Sequence, residues 1–201
     1  MAMRIYGDAS SGNCLKVRYT ADHLAIPYDW VPVDIGAGET RTEAFLAMNP
    51  MGQVPVVVFE DGRALAQSNA IIRYLARGSA LIPVDPFEQA KMDELLFWEQ
   101  YSHEPYVAVC RYQMVYLGRS AADRDPERVA RGEKALDLME RLIDGRDWFV
   151  GGALSVADIA LLAYTRLAPE GGFDLTSRPA LRTWIARCER ALGLAPLGVM
   201  A

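Results

Sequence analysis

Asn49-Pro-Met-Gly-Gln-Val-Pro-Val-Val-Val-Phe-Glu-Asp-Gly-Arg-Ala-Leu-Ala-Gln-Ser-Asn-Ala-Ile-Ile-Arg-Tyr74 is the stretch whose reading decides the fold. Val56 to Phe59 is β-branched and aromatic, Asp61-Gly62 is a hairpin turn, and Arg63 to Ala66 returns beside the first run. Ahead of the hairpin, Pro55 removes a backbone donor and makes a cis bond after Val54 accessible, which would turn the Val54 amide and carbonyl toward an extended ligand. Behind it, Ser68 is placed as the N-cap of a helix that buries Ile71, Ile72 and Leu75 and stops at Gly78. A helix start there gathers free amides and a partial positive charge at one point, which is a carboxylate site.

Composition limits what such a site belongs to. A chain of 201 residues with 51% hydrophobic content has enough apolar side chains for one large core or two modest ones. A net charge of −5 without any long basic run argues against a phosphate-backbone partner, so no nucleic acid is expected. Three scattered cysteines, Cys14, Cys110 and Cys188, lack both an even count and metal spacing. They point to a reducing, cytoplasmic setting with no metal. No apolar run is long enough to span a bilayer, and the first residues show no hydrophobic signal region, so no membrane partner is expected.

Outward from the hairpin, Met3 to Tyr6 is a short strand and Gly7 to Asn13 a small-residue loop. Cys14, Val17, Ala21 and Leu24 then recur at helical spacing until Pro27. A strand at Tyr28 to Val33 and a short helix at Thr42 to Met48 complete an α/β domain over residues 1–78. Pro83 and Pro86 mark residues 79–86 as a linker. Residues 87–201 read as all-helical. In the helical pattern from Phe87 to Leu117, Pro105 predicts a break near His103. Further helices start at Asp125-Pro126, at Ser155 and at Pro179. The Ser155-Val-Ala-Asp158 start is a capping box with Asp in place of Glu, and the run after it is apolar on all sides, which puts that helix at the centre.

The chemistry lies first in Ser11-Gly-Asn-Cys14, where a strand hands over to a helix. Its spacing is that of a redox Cys-x-x-Cys pair whose first thiol is a hydroxyl, so no dithiol cycle remains. Ser11 is read either as a plain helix cap or as a hydroxyl donor to a negatively charged sulfur brought by a ligand. A thiol tripeptide has both the sulfur for Ser11 and the carboxylate for Ser68.

With Ser11-x-x-Cys14, Asn49-Pro50, Gln53-Val54-Pro55, Gln67-Ser68 and Ser155-Val-Ala-Asp158 in this order, nearly the whole chain resembles the glutathione transferase superfamily, in particular its serine-type theta, delta and zeta classes and their bacterial relatives. The resemblance implies a thioredoxin-like α/β N-terminal domain plus an all-α C-terminal domain. It implies glutathione as substrate along the first, a small hydrophobic electrophile against helices of the second, and a homodimer. Carried over by motif, Ser11 would polarise the glutathione sulfur, Val54 would pair with the cysteinyl backbone, and Gln67 with Ser68 would hold the γ-glutamyl end. Gln53 and Pro55 belong to the same binding segment. The implied activity is addition of the glutathione thiolate to the electrophile. Isomerisation, dehalogenation or peroxide reduction on the same site, and a non-catalytic interaction module, are the alternatives.

Other residues carry two readings. Tyr6 lies on a strand and is read as packing, Cys14 as a buried unreactive thiol, and Lys16 as a solvated helix residue. Asn13 either donates to the sulfur or caps the helix. His103, Tyr106, Cys110 and Met114 follow one helical spacing and line either the electrophile pocket or a core or subunit interface. Many family members carry an acid at the position of Gln67; Glu99 is a candidate to supply that charge, across a dimer interface, or is a surface helix residue.

Overall fold

The computed structural model describes residues 3–196. Residues 197–201, assigned to the helical domain from sequence, lie outside the described residues, as do residues 1 and 2. The chain divides into two compact units between Ser79 and Ala80.

In the first unit, β1 (Met3–Gly7) alternates between fully and partly buried positions, as a strand covered unequally on its two faces must. After α1 (Gly12–His23) the chain returns as β2 (Tyr28–Pro32), parallel to β1 with Met3 opposite Tyr28 and Gly7 opposite Pro32. The helix between two adjacent parallel strands makes this a βαβ unit. A short α2 (Glu43–Met48) follows, with the Thr42 hydroxyl accepting from the Phe45 amide at 3.3 Å.

The hairpin forms as its sequence requires. β3 (Val56–Val58) pairs antiparallel with both β1 and β4 (Ala64–Ala66), giving the order β2-β1-β3-β4. Gly62 occupies the left-handed region at φ 82° that the turn needs. One sheet face packs Tyr6, Val33, Phe45, Met48, Val54, Val56, Val58 and Ala66 together, so Tyr6 is a packing residue beside α2. Ile5, Val57, Ile71 and Ile72 are fully buried, Ile71 and Ile72 on α3 (Ser68–Leu75), and each contributes about 1.5–3 kcal/mol. At the end of β1, a Cβ on Gly7 would come within 3.0 Å of the Cys14 sulfur. Only glycine lets α1 lie this close to the strand.

The second unit opens with α4 (Pro86–Trp98), one residue earlier than the sequence suggests, with Asp85 accepting from the Glu88 amide. The break expected near His103 is a π-helical stretch, Glu99–His103, leading straight into α5 (Glu104–Val115). Pro105 lacks the amide that would continue the α-helical ladder, and the wider turn absorbs the mismatch. Next come α6 (Pro126–Ile143), α7 (Val156–Thr165) and α8 (Pro179–Ala191); among the described residues no strand follows β4.

All ten residues of α7 are buried. Its start is held by Asp158, whose Oδ2 accepts from the Ser155 amide at 3.0 Å and the Ser155 hydroxyl at 2.8 Å. Asp158 Oδ1 accepts from the Phe149 amide at 3.1 Å and from Trp184 Nε1 at 3.0 Å. Burial pushes this carboxyl above the usual carboxylate range, while the Trp184, Phe149 and Ser155 donors pull the other way. The start of α8 has no side-chain cap of its own; Glu140 of α6 accepts from the amides of Ala180 and Leu181 instead.

Candidate functional site

Two helix starts in the first unit are joined by one side-chain contact. Ser68, at the start of α3, donates its hydroxyl to Asn13 Oδ1 at 3.0 Å, across 55 residues of sequence. Asn13 lies in the first turn of α1, two residues after Ser11. The amide ends of both helices therefore meet in one place, where anions are favoured.

Ser11 is the N-cap of α1, with extended backbone angles (φ −75°, ψ 121°), but its side chain makes no capping bond. The plain-cap reading therefore fails for the hydroxyl, although the Ser11 carbonyl does accept the first helical bond, from the Leu15 amide at 2.9 Å. Three residues on, Cys14 is fully buried. Desolvation pushes its thiol up to about 11, against a smaller downward pull from hydrogen bonding to Ser11. At neutral pH Cys14 is a neutral packing group, as its place on the apolar stripe implies.

Lys16 corrects the sequence reading. It is fully buried rather than solvated, and its Nζ donates to Asn13 Oδ1 at 2.9 Å. The physical reason is that α1 is covered on nearly every side; of its residues, Lys16, Val17, Tyr19, Thr20 and Ala21 are buried as well as Cys14.

On the α3 side, the N-cap is Gln67, not Ser68, with Gln67 at φ 69° in the left-handed region. Ser68 is shifted one residue into the helix and its hydroxyl goes to Asn13 instead of to its own helix. Gln67 is exposed, and its Nε2 donates to Met51 Sδ at 3.4 Å, which leaves Oε1 as its remaining acceptor. The Val54–Pro55 bond is cis, with Val54 partly buried, Pro55 buried and Gln53 exposed. Asn49, nearly fully buried, braces this segment by donating Nδ2 to the Gln53 carbonyl at 2.8 Å and accepting from the Met51 amide. Neither this brace nor Lys16 was identified from sequence; an Asn ahead of a tight Pro-Met-Gly turn is the signal that marks the former.

Residues 10–77 match the glutathione S-transferase N-terminal domain family and residues 97–191 the glutathione S-transferase C-terminal domain family. A solved glutathione S-transferase from Pseudomonas fluorescens is 45% identical, with a TM-score of 0.91, covering 94% of this chain and 95% of that one. The chain belongs to the glutathione S-transferase family. It is also similar to a glutathione S-transferase of Hyoscyamus muticus, 29% identical over 92% of each chain. A third relative is a glutathione transferase homolog from Drosophila mojavensis, solved with bound glutathione, at 26% identity and a TM-score of 0.84 over 94% of this chain and 88% of that one.

In the transferase's helical unit the sequence-derived candidates separate. His103 is fully buried, its Nε2 3.1 Å from the Thr165 hydroxyl. Because that hydroxyl donates to the Leu161 carbonyl at 2.7 Å, His103 Nε2 is the donor of the pair. Cys110 is also fully buried, and desolvation raises its thiol. Both are core residues and not pocket lining. Tyr106 and Met114 stay partly exposed, with the Tyr106 hydroxyl accepting from Arg131 at 2.9 Å.

Glu99 is likewise corrected. It is fully buried, with Oε2 accepting from Gln100 Nε2 at 2.9 Å. Phe97 and Tyr101, four apart on one face, are 76% and 82% exposed, and Glu99 between them points the opposite way. It is neither a surface helix residue nor a charge presented to a partner subunit.

Proposed function

We propose that the protein binds glutathione at the meeting of the α1 and α3 starts and adds its thiolate to a small hydrophobic electrophile. The observation that carries this reading is the Ser11 hydroxyl, which sits at a helix N-terminus and makes no capping bond there, close to an Asn13–Ser68 pair that joins a second helix N-terminus. The glutathione-bound structure of the Drosophila mojavensis relative supports the choice of ligand.

In this reading Ser11 donates to the glutathione sulfur, and the amides of α1 add a partial positive charge. A free thiol titrates near 8.5, so only a few per cent is thiolate at neutral pH; lowering it by about two units needs roughly 2.7 kcal/mol. The amides opening α3 take the γ-glutamyl carboxylate, Gln67 Oε1 faces its ammonium, and the Val54 backbone pairs with the cysteinyl residue. Pro55 and Gln53 complete the wall. Tyr106 and Met114 are the remaining candidates to touch the electrophile.

The same proposal includes a homodimer, supported by the exposed Phe97 and Tyr101 on one face of a helix, and a reducing cytoplasm, supported by three buried free thiols. The test is direct. Millimolar glutathione raises the melting temperature, by about 2.7 kcal/mol of stabilisation at 100 times Kd, and turnover of an aryl halide depends on it. Absence of any thermal shift would favour a non-catalytic module.

A further inference from the structure

We infer that Lys16 is a positioning residue for catalysis: its buried ammonium fixes the orientation of the Asn13 amide and, through it, the hydrogen-bond polarity of Ser68. The inference rests on reading Asn13 and Ser68 as glutathione contacts.

A fully buried lysine is rare unless its charge is held by something, and Lys16 lies one turn inside the helix that opens the site. Its Nζ is 2.9 Å from Asn13 Oδ1. An ammonium has only donors, so the atom it meets must be the amide oxygen. Asn13 cannot flip without placing its NH₂ against three N–H groups. The Asn13 oxygen therefore receives two donors, Lys16 Nζ and Ser68 Oγ, which occupy both of its lone pairs. What the Asn13 side chain has left is its NH₂ edge, two donors and no acceptor.

The constraint then passes on to Ser68. A hydroxyl facing an amide can donate to the oxygen or accept from the nitrogen, and Lys16 removes the second choice. Ser68 spends its only proton on Asn13, so its oxygen acts as an acceptor toward the ligand. That suits the γ-glutamyl ammonium and leaves the carboxylate to the backbone amides of α3. Gln67, which offers an acceptor without a charge, thereby gains a second acceptor beside it. With Lys16 in place, the pair presents NH₂ donors toward the sulfur side and an acceptor toward the amino end. A chain with an apolar residue at position 16 has no such bias.

The test compares Lys16→Met, Asn13→Asp, Asn13→Ala and the double variant Lys16→Met/Asn13→Ala, with glutathione and an aryl halide as substrates. Folding is checked by circular dichroism, and bound thiolate by its ultraviolet absorbance at neutral pH. Lys16→Met is expected to lower kcat and the thiolate fraction about tenfold with KM for glutathione changed by less than about threefold. Asn13→Asp keeps a carboxyl oxygen for Lys16 and Ser68 but has no donor; it should fold normally and lose kcat by a similar factor. The double variant should be no slower than Asn13→Ala, because both changes remove one device. If Lys16→Met does not fold, Asn13→Asp decides alone, and a wild-type kcat and thiolate fraction in it overturn the proposal. A folded Lys16→Met at wild-type rate beside a slow Asn13→Ala also overturns it while leaving Asn13 as a glutathione contact. Asn13→Ala at the wild-type rate removes that contact and the proposal together.

Discussion

Each unit of this transferase buries one ionisable side chain at a helix start, and the two are used differently. Asp158 has four donors on its two oxygens, all from residues of its own unit, and its helix is buried along its whole length. Lys16 gives its proton to Asn13, a partly exposed side chain that touches the opening of a second helix. A buried charge enclosed by its partners fixes a fold; one held by a partner at the surface also controls what that partner shows to a ligand.

The strongest way to break this contrast is Asp158→Ala. Three N–H donors and a hydroxyl would lose their acceptor in the core, at a cost of about 3–5 kcal/mol, read from the denaturant midpoint. The folded fraction should keep its affinity for glutathione. A loss of binding in correctly folded protein would show that Asp158 serves the site as well as the fold.

Ser11→Ala should have the opposite profile. The hydroxyl makes no capping bond, so stability should change by less than about 0.5 kcal/mol, while kcat falls tenfold or more and the pH profile of the rate moves upward. Equal rates in both proteins would pass the role to Asn13, Ser10 or Tyr6. Gln67→Glu sharpens the comparison at the other end of the ligand. A charge-assisted contact to the γ-glutamyl ammonium should tighten glutathione about threefold to tenfold, measured by calorimetry. Because Glu99 is buried, Glu99→Gln should leave this gain unaltered, unlike in a site that borrows a partner's acid.

The smallest effect is expected for the thiols. Cys14, Cys110 and Cys188 are all buried with their thiols raised by desolvation, so a thiol reagent at neutral pH should label the native protein slowly. The protonated Cys14 thiol contributes stability that is fully present below the ordinary thiol range and is lost as pH rises through about 11. Rapid labelling at neutral pH would mean that α1 opens readily.

Much of this was legible in the chain. Alternation and turn chemistry gave the hairpin, the helical stripe gave α1, and Ser155 with Asp158 marked the start of the central helix. What sequence could not show was phase and cover. Lys16 reads as solvated because nothing local reveals that other elements enclose its helix. Glu99, His103 and Cys110 were misread because a helical wheel drawn through Glu99–His103 assumes a regular turn that is not there. Ser68 was placed one residue early because the unusual residue, Gln67 at positive φ, is not a glycine.

That π stretch also has a numerical consequence. It takes in one residue more per turn than an unbroken α-helix, so α4 and α5 form a rod with a built-in offset. Removing a single residue between Glu99 and His103 would let the ladder close regularly and turn everything after it by about 100°. Val107, Cys110 and Arg111, now buried, would rotate away from the interior, and partly exposed Tyr106 and Met114 would leave the positions they hold. The segment therefore behaves as a spacer: its composition can change, but its length sets which side of α5 belongs to the core.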